Sequence, residues 1–337
     1  MTAAALLGVR QAVRSGLRPV NPRSDMAQVA DLIGLAFRGE LDAGGLQMIR
    51  EMRAFGQAGW IGYQLSRLML PPAARPHGYV WLEQGRIVGN ASLLPVEGYP
   101  QRWVLANVAV HPDWRRRGIG RMLVQASLAE AARLGARQLI LQVAQAKREV
   151  QRLYADLGFV TTSSRTLWTR AARMPAPQER PPAELQVRSP TEWEEQWAFL
   201  RRLYPEGLLW PFPPEDDLFR PSELGAFLGA GRVRHWLWRE NGEIVASLTA
   251  QARAASQEWR LILGCAPAMR GKLEPPILAH ALAQLPTDLA TALEYPNGPA
   301  DAEFEALGFR RGRALTWMAL ELPAEGPDRI TAPPGSG

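Results

Sequence analysis

The chain has 337 residues, a formal net charge of +6 and 47% hydrophobic residues, which suffices for two domains of ordinary size, each with its own core. No run of about 18 apolar residues occurs, so no membrane-spanning helix is predicted. The single cysteine, Cys265, excludes an intrachain disulfide, and the four scattered histidines lack the spacing of metal ligands. These features favour a cytoplasmic protein without a metal.

The positive charge is carried almost entirely by arginine, since Lys147 and Lys272 are the only lysines. An arginine excess suits a polyanionic partner, either a nucleic acid or a phosphorylated cofactor.

Residues 1–16 lack a charged region before their short apolar patch, so we interpret them as an N-terminal arm rather than a secretory signal. Ser24 or Asp25 is predicted to cap a first helix whose apolar face ends at Phe37. A second helix is predicted after "DAGG", with Met48 and Met52 on its apolar face.

Three strands are predicted next, over 78–83, 86–94 and 102–110, the first two joined by a Gln-Gly turn. They are followed by a helix from Gly118, a buried strand over 138–143, a helix over 147–157 and a strand over 159–170. A hairpin followed by a strand-helix-strand unit predicts a mixed α/β sheet.

The segment "NVAVHPDWRRRGIGRM" joins the strand that ends near 110 to the helix that follows it. The first amides of a helix lack intrahelical partners, and glycines at 118 and 120 allow a ligand to approach them closely. This spacing predicts a phosphate-binding helix N-terminus. Neither a Walker loop nor a dinucleotide fingerprint is present. A solvated basic loop and a nucleic-acid contact are the alternative interpretations.

Together with "VAVHPDW", the Arg-x-x-Gly-x-Gly pattern at Arg115, Gly118 and Gly120 resembles the acetyl-CoA motif of the GNAT superfamily of N-acetyltransferases. The later "RLYADLGF" (152–159) resembles the Leu-Tyr-x-x-x-Gly-Phe segment of that family. The resemblance covers residues 17–170 and implies acetyl-CoA as co-substrate.

The resemblance also implies how acetyl-CoA is held. Its pantetheine arm would pair with the strand edge at Val108, Ala109 and Val110. Its phosphates would meet the loop and the helix start, with Lys147 and Arg148 supplying further charge. The loop residues implied are Arg115, Arg116, Arg117, Gly118, Ile119, Gly120 and Arg121.

For catalysis, the resemblance implies that Tyr154 is the general acid that protonates the leaving thiolate, although such a tyrosine can equally be a core residue. A backbone amide near Val110 would stabilise the carbonyl oxygen. Several family members carry an acid early in the fourth strand, and this sequence has none there. Asn107 is the candidate that positions a water, and Glu97 and His111 are weaker candidates for the base.

The link "FRGELDAGG" (37–45) usually lines the acceptor site in this family. Glu40 and Asp42 would suit a cationic amine there, and a solvated acidic loop is the alternative.

A Pro-rich segment, residues 173–184, predicts a linker between two halves that share three landmarks in the same order, such as "WLEQGRIVGNASL" and "WRENGEIVASLTA". We expect a GNAT domain at 17–172, a degenerate GNAT-like domain at 185–322 and a tail at 323–337.

In the second half, Leu273 is taken to replace Gly120, and Pro275 and Pro276 are expected to break the helix start. Phe304 replaces Tyr154. Cys265 is a poor nucleophile candidate because no base accompanies it.

The sequence therefore predicts two tandem GNAT-like domains and an N-acetyltransferase in which a primary amine attacks acetyl-CoA directly. The acceptor is a small molecule or a peptide, with no membrane partner, and the chain is a monomer or a homodimer. The alternative is a non-catalytic acyl-CoA-binding or sensing protein, and a nucleic-acid-binding protein is the less favoured third hypothesis.

Overall fold

The computed structural model describes residues 15–41, 43–57, 77–96, 99–177, 182–203, 218–221, 233–253, 257–298 and 300–323. The chain divides into two compact units. Unit 1 comprises residues 1–142, 152–160 and 318–337, and unit 2 comprises residues 143–151 and 161–317.

The first half of the chain starts with a strand and two helices, followed by an antiparallel meander. These elements are β1 (Gly16–Pro19), α1 (Met26–Ala36), α2 (Ala43–Gln57), β2 (His77–Glu83), β3 (Arg86–Val96) and β4 (Tyr99–Val110). The half ends with α3 (Ile119–Arg133), β5 (Gln138–Ala144), α4 (Arg148–Asp156) and β6 (Val160–Arg170). The predicted strands and helices of this half are thus confirmed, with ends that shift by up to three residues.

Within the described residues, the second half repeats this order except that it shows no counterpart of α2. Its elements are β7 (Leu185–Val187), α5 (Trp193–Leu203), β8 (Val233–Glu240), β9 (Glu243–Arg253), β10 (Glu258–Cys265), α6 (Glu274–Gln284), β11 (Ala290–Pro296), α7 (Asp301–Ala306) and β12 (Arg310–Glu321).

The two hairpins at corresponding places use the same turn. Gln84 and Gly85 have φ of +50° and +80°, and Asn241 and Gly242 have φ of +50° and +85°. Two successive positive φ angles fit a type I′ turn, whose twist matches that of the strands it joins. The predicted Gln-Gly turn is thus confirmed, and the Asn-Gly pair in the matching landmark of the second half makes the same turn.

In unit 1, the strands β1, β2, β3 and β4 form an antiparallel sheet, and β5 runs parallel to β4. Helices α1 and α2 cover one face, on which Val80 and Ala109 pack against Ile33. Helix α3 covers the other face, where Gly89 leaves room for Leu123 and Ile119. A Cβ at position 89 would lie within 3.0 Å of both side chains, so the glycine permits this close packing.

In unit 2, the strand order is β6-β11-β10-β9-β8-β7, with β11 parallel to β10 and the other pairs antiparallel. One face carries a large core in which Trp168, Trp259 and Phe304 are fully buried. The opposite face packs against α5 through Phe199 and Ile262.

Three local expectations were wrong. Asp25 occupies the N-cap position of α1 without capping it, because its carboxylate binds Arg18 at 2.6 Å instead. Pro275 and Pro276 do not break the helix, since α6 begins at Glu274 and tolerates prolines in its first turn. By position, Leu273 is the N-cap of α6 and corresponds to Gly118, the N-cap of α3, rather than to Gly120.

Unit 1 takes residues 318–321 of β12, whereas residues 161–170 of β6 belong to unit 2. In unit 1, the carbonyl of Arg137 accepts a hydrogen bond from the Leu322 N–H at 2.8 Å, and Gln138 donates to Glu321 at 2.6 Å. The compact units therefore differ from a division of the chain at the Pro-rich segment, and that division stays a proposal about the domains.

Candidate active site

Strands β4 and β5 separate part of the way along their length. Their parallel pairing is confined to Arg102–Gln138, Trp103–Leu139 and Val104–Ile140, although β4 continues to Val110. Beyond this point the facing edges of the two strands open a wedge in unit 1. Apart from the Val110 carbonyl, which accepts a hydrogen bond from Arg115, backbone groups on the β5 side of residues 105–110 are therefore available to a ligand.

A β-bulge shapes the β4 side of this wedge. The register between β3 and β4 shifts between Asn90 and Ser92, and Asn107 adopts a left-handed φ of +53°. Asparagine tolerates this conformation better than most residues. The Asn90 amide, which is 1% exposed, donates to the Asn107 carbonyl at 2.9 Å and so fixes the bulge.

The loop that follows β4 leads into α3. A 3₁₀ turn spans Pro112–Trp114, Arg116 has φ of +61° and Gly118 has φ of +78° as the N-cap of α3. Within the described part of the chain, the backbone N–H groups from Gly118 to Arg121 meet no protein acceptor. Free donors at the positive end of a helix dipole are the arrangement that attracts an anion.

Gly120 borders the space between this helix start, the end of β4 and α4. A Cβ at this position would lie 3.8 Å from Leu153 and 3.9 Å from Val110. The backbone of Gly120 does not require glycine, because its φ is not positive. The missing side chain instead keeps open the space onto which the free N–H groups face.

The arginines of the loop brace it rather than extend freely. Arg115 Nε donates to the Val110 carbonyl at 3.1 Å, and Arg117 donates to the Asp113 carbonyl at 3.1 Å while its guanidinium lies 4.4 Å from the centre of the Trp114 ring. Arg121 pairs with Asp156 of α4 at 2.9 Å. That pair is exposed and contributes little stability, so it can open for an anion.

Tyr154 lies on α4 and is 5% exposed. Its ring packs edge-on against Phe159 at 5.8 Å, and its hydroxyl has no hydrogen bond to a described residue. Burial raises the pKa of this hydroxyl above its ordinary value, so it stays protonated at neutral pH. Tyr154 can therefore donate a proton and cannot serve as a base.

The remaining predicted site residues lie in different parts of the chain, and two of them fall outside the described residues. His111 caps the 3₁₀ turn by accepting the Asp113 N–H at 3.3 Å, which gives it a structural role. Lys147 lies in the turn between β5 and α4, in the part of the chain assigned to unit 2. Glu40 follows α1 and is partly exposed, whereas Asp42 and Glu97 lie outside the described residues.

Asn90 was missed by the sequence analysis. Its signal was an asparagine in the largely apolar strand "IVGNASLL", where the side-chain amide must find its partners internally. The bulge it holds depends on Asn107, which the sequence analysis assigned only to catalysis.

The corresponding helix start in unit 2 is filled by the protein itself. Glu274 is fully buried and accepts hydrogen bonds from the Gly271 N–H at 2.8 Å and from the Tyr295 hydroxyl at 2.7 Å. Prolines at 275 and 276 remove two N–H donors from the first turn of α6. An internal carboxylate therefore occupies the end of this helix.

Burial raises the pKa of the nearby Cys265 thiol above its ordinary value, so this cysteine is unreactive. Among the described residues, no group of three His, Cys, Asp or Glu side chains is placed to bind a metal. No helix within the described ranges is long and apolar enough to cross a bilayer.

Comparisons with known proteins were made for both the family and the fold. Residues 48–159 match the model of the acetyltransferase (GNAT) family. No curated protein sequence matches the chain.

Three solved structures share the fold over most of this chain and most of their own length. Their sequence identities to this chain are low, so the likeness concerns the fold alone. A GCN5-related N-acetyltransferase from Sphaerobacter thermophilus is 14% identical over 92% of this chain and 96% of that chain, with a TM-score of 0.59. A tandem GNAT protein from the clavulanic acid biosynthesis pathway is 17% identical over 92% and 99%, with a TM-score of 0.53. A putative acetyltransferase from Pyrococcus horikoshii is 13% identical over 93% and 92%, with a TM-score of 0.51.

The family match lies on the strands, loop and helices that form the wedge, and the structural matches extend across both halves of the chain. Residues 48–159 therefore carry the match to the acetyltransferase (GNAT) family, and over its length the chain shares the fold of these solved GNAT structures, a tandem one among them.

Proposed function

We propose that unit 1 is an acetyl-CoA-dependent N-acetyltransferase that acetylates a primary amine by direct attack. The observation that carries this proposal is the row of free N–H groups from Gly118 to Arg121, beside the unpaired end of β4 and the hydroxyl of Tyr154. These residues fit a ligand that combines a diphosphate, an arm able to pair with a strand and a reactive thioester.

Acetyl-CoA, when bound, supplies the acetyl thioester. The N–H groups at the start of α3 and the loop arginines would bind its phosphates. Residues Val108, Ala109 and Val110 would pair with the pantetheine arm along the open strand edge.

We propose the following roles for the residues around the wedge in the acetyl transfer. The amine nitrogen attacks the acetyl carbon, the carbon–sulfur bond breaks and the Tyr154 proton passes to the thiolate sulfur. A water positioned by the Asn107 amide takes the proton that the amine releases. A backbone N–H near Val110 stabilises the charge on the carbonyl oxygen. Glu40 and Asp42 are proposed to attract the amine.

Native mass spectrometry with acetyl-CoA tests the binding step. We expect one molecule per chain, lost in Gly120→Glu because the new side chain fills the space by Val110 and places a negative charge there. Gln125→Glu adds the same charge at an exposed position of the same helix and is expected to bind normally.

Two molecules bound to the wild type would contradict our assignment of the second helix start to Glu274. No binding at all would overturn the transferase proposal. Binding without acetyl transfer to any amine would favour the alternative of a non-catalytic acyl-CoA-binding protein.

A further inference from the structure

Gln142 lies on β5 of unit 1, two residues past the last pair that this strand forms with β4. Its amide nitrogen is fully buried and meets no hydrogen-bond acceptor in the part of the chain that the structure describes. A buried amide donor without a partner costs free energy, and an oxygen of a ligand that accepts its hydrogen bond removes this cost.

The strand registers identify the face on which Gln142 lies. Val104 pairs with Ile140 on β5 and with Leu94 on β3, so all three side chains share one face of the sheet. Gln142 follows Ile140 by two residues and lies on that same face. The alternation along β3 places Asn90 there too.

This is the face covered by α1 and α2, since Val80, the partner of Asn90, packs against those helices. The start of α3 and Tyr154 belong to the other face, because Gly120 neighbours Leu153 of α4 and α3 packs over Gly89. The wedge between β4 and β5 thus opens toward two faces of the sheet. One face holds the start of α3 and Tyr154, and the other holds Gln142.

If acetyl-CoA enters from the α3 face, the amine must reach the thioester from the face that holds Gln142. Two strands away on the same face, Asn90 donates to the Ser92 hydroxyl at 3.2 Å as well as to the bulge, so its amide donors have protein partners, whereas that of Gln142 has none among the described residues. Such a buried N–H donor recognises a hydrogen-bond-accepting oxygen.

We infer that Gln142 is a specificity-determining residue, whose amide N–H binds a carbonyl or hydroxyl oxygen next to the amino group of the acceptor. This inference rests on the proposed function and narrows its substrate class to amines with such an oxygen. A site that donates a hydrogen bond discriminates strongly against an analogue without the accepting atom, because the buried donor is then left unpaired.

The experiment compares amines of matched shape in the full chain. Ethanolamine is paired with n-propylamine, and glycinamide with isobutylamine, using wild type, Gln142→Leu and the control Gln138→Leu. Gln138 lies on the same strand and face, at its paired end, where its amide donates to Glu321.

For the wild type we expect kcat/KM to be at least about tenfold higher for the oxygen-bearing amine of each pair. Gln142→Leu is expected to abolish this preference, mainly through KM, while acetyl-CoA binding and turnover of the two hydrocarbon amines stay within about twofold. Gln138→Leu is expected to keep the preference.

Thermal unfolding gives a readout that does not depend on turnover. If the amide has no partner in the fold, Gln142→Leu melts no lower than the wild type. A lower melting temperature, a preserved preference in Gln142→Leu or a wild type without preference overturns the inference. Failure of the proposed function is distinguishable, because it appears as loss of acetyl-CoA binding or of transfer to every amine in all three proteins.

Discussion

Tyr154 and Phe304 occupy corresponding positions in the two halves of the chain and differ by one hydroxyl group. Both follow the same pattern before a Gly-Phe pair, and both are buried, at 5% and 0% exposure. Phe304 packs edge-on against Tyr295 and Trp168, as an ordinary core residue does. Since the Tyr154 hydroxyl makes no hydrogen bond to a described residue, packing alone does not account for it.

Tyr154→Phe is therefore expected to lower kcat by about 100-fold, because the leaving thiolate loses its proton donor. The free energy of unfolding should change by less than about 0.5 kcal/mol, since no hydrogen bond is lost. Steady-state kinetics and urea denaturation measure the two effects. Tyr79→Phe makes the same change on β2 and should retain full kcat. An unchanged kcat in Tyr154→Phe would refute its role as the acid.

At the scale of elements, the starts of α3 and α6 differ in what happens to their backbone N–H donors. Each helix end carries donors that lack intrahelical partners. In α3, glycines leave these donors free, whereas in α6 two prolines remove donors from the first turn, and the Glu274 carboxylate binds the Gly271 N–H just ahead of the helix. The second arrangement stabilises the helix and leaves no room for an external anion.

Glu274→Ala is accordingly expected to lower the free energy of unfolding by about 2–4 kcal/mol, because two buried charge-assisted hydrogen bonds are lost. Urea denaturation followed by circular dichroism measures this loss. Glu243→Ala, an exposed acid on β9, should change stability by less than about 0.5 kcal/mol. Equal stability of the two variants would show that the hydrogen bonds of Glu274 to Gly271 and Tyr295 do not stabilise the fold.

At the scale of the whole molecule, unit 2 contains a buried polar network that makes stability depend on pH. His235 Nδ1 lies 2.9 Å from the Thr249 hydroxyl, and Gln196 donates to that hydroxyl at 3.0 Å. Burial, with a smaller contribution from the charge of Arg188, lowers the pKa of His235 to about 3. The histidine is therefore neutral in the folded protein at physiological pH.

Because the unfolded chain binds this proton near pH 6.5 and the folded protein does not, stability falls as the pH drops from about 6.5 toward 3. We expect a loss of about 2 kcal/mol between pH 7 and pH 5 from this group. Denaturation of the wild type and of His235→Gln across this range checks it, since the variant should lack this contribution. A wild-type slope in His235→Gln would contradict the assignment.

The sequence allowed prediction of features whose causes are local. The Gln-Gly and Asn-Gly hairpins follow from two adjacent residues, and the start of α3 follows from the glycines that precede it. The bulge at Asn107 depends on Asn90, which lies 17 positions away and becomes its neighbour only once β3 and β4 pair. Gln142 gave no sequence signal, because its unpaired amide is a property of the separated strands.

Unit 1 can finish folding only after residues 318–321 of β12, which belong to it, have been synthesised. Gln138 and Glu321, which bond to each other there, are 183 positions apart in the chain. At a synthesis rate of about 5–20 residues per second, roughly 10–40 seconds pass before Glu321 follows Gln138 out of the ribosome. During that interval the edge of β5 has no partner from β12, and unpaired edges invite pairing with other chains. In a nascent chain, the edge of β5 therefore needs protection from pairing with other chains until β12 has been synthesised.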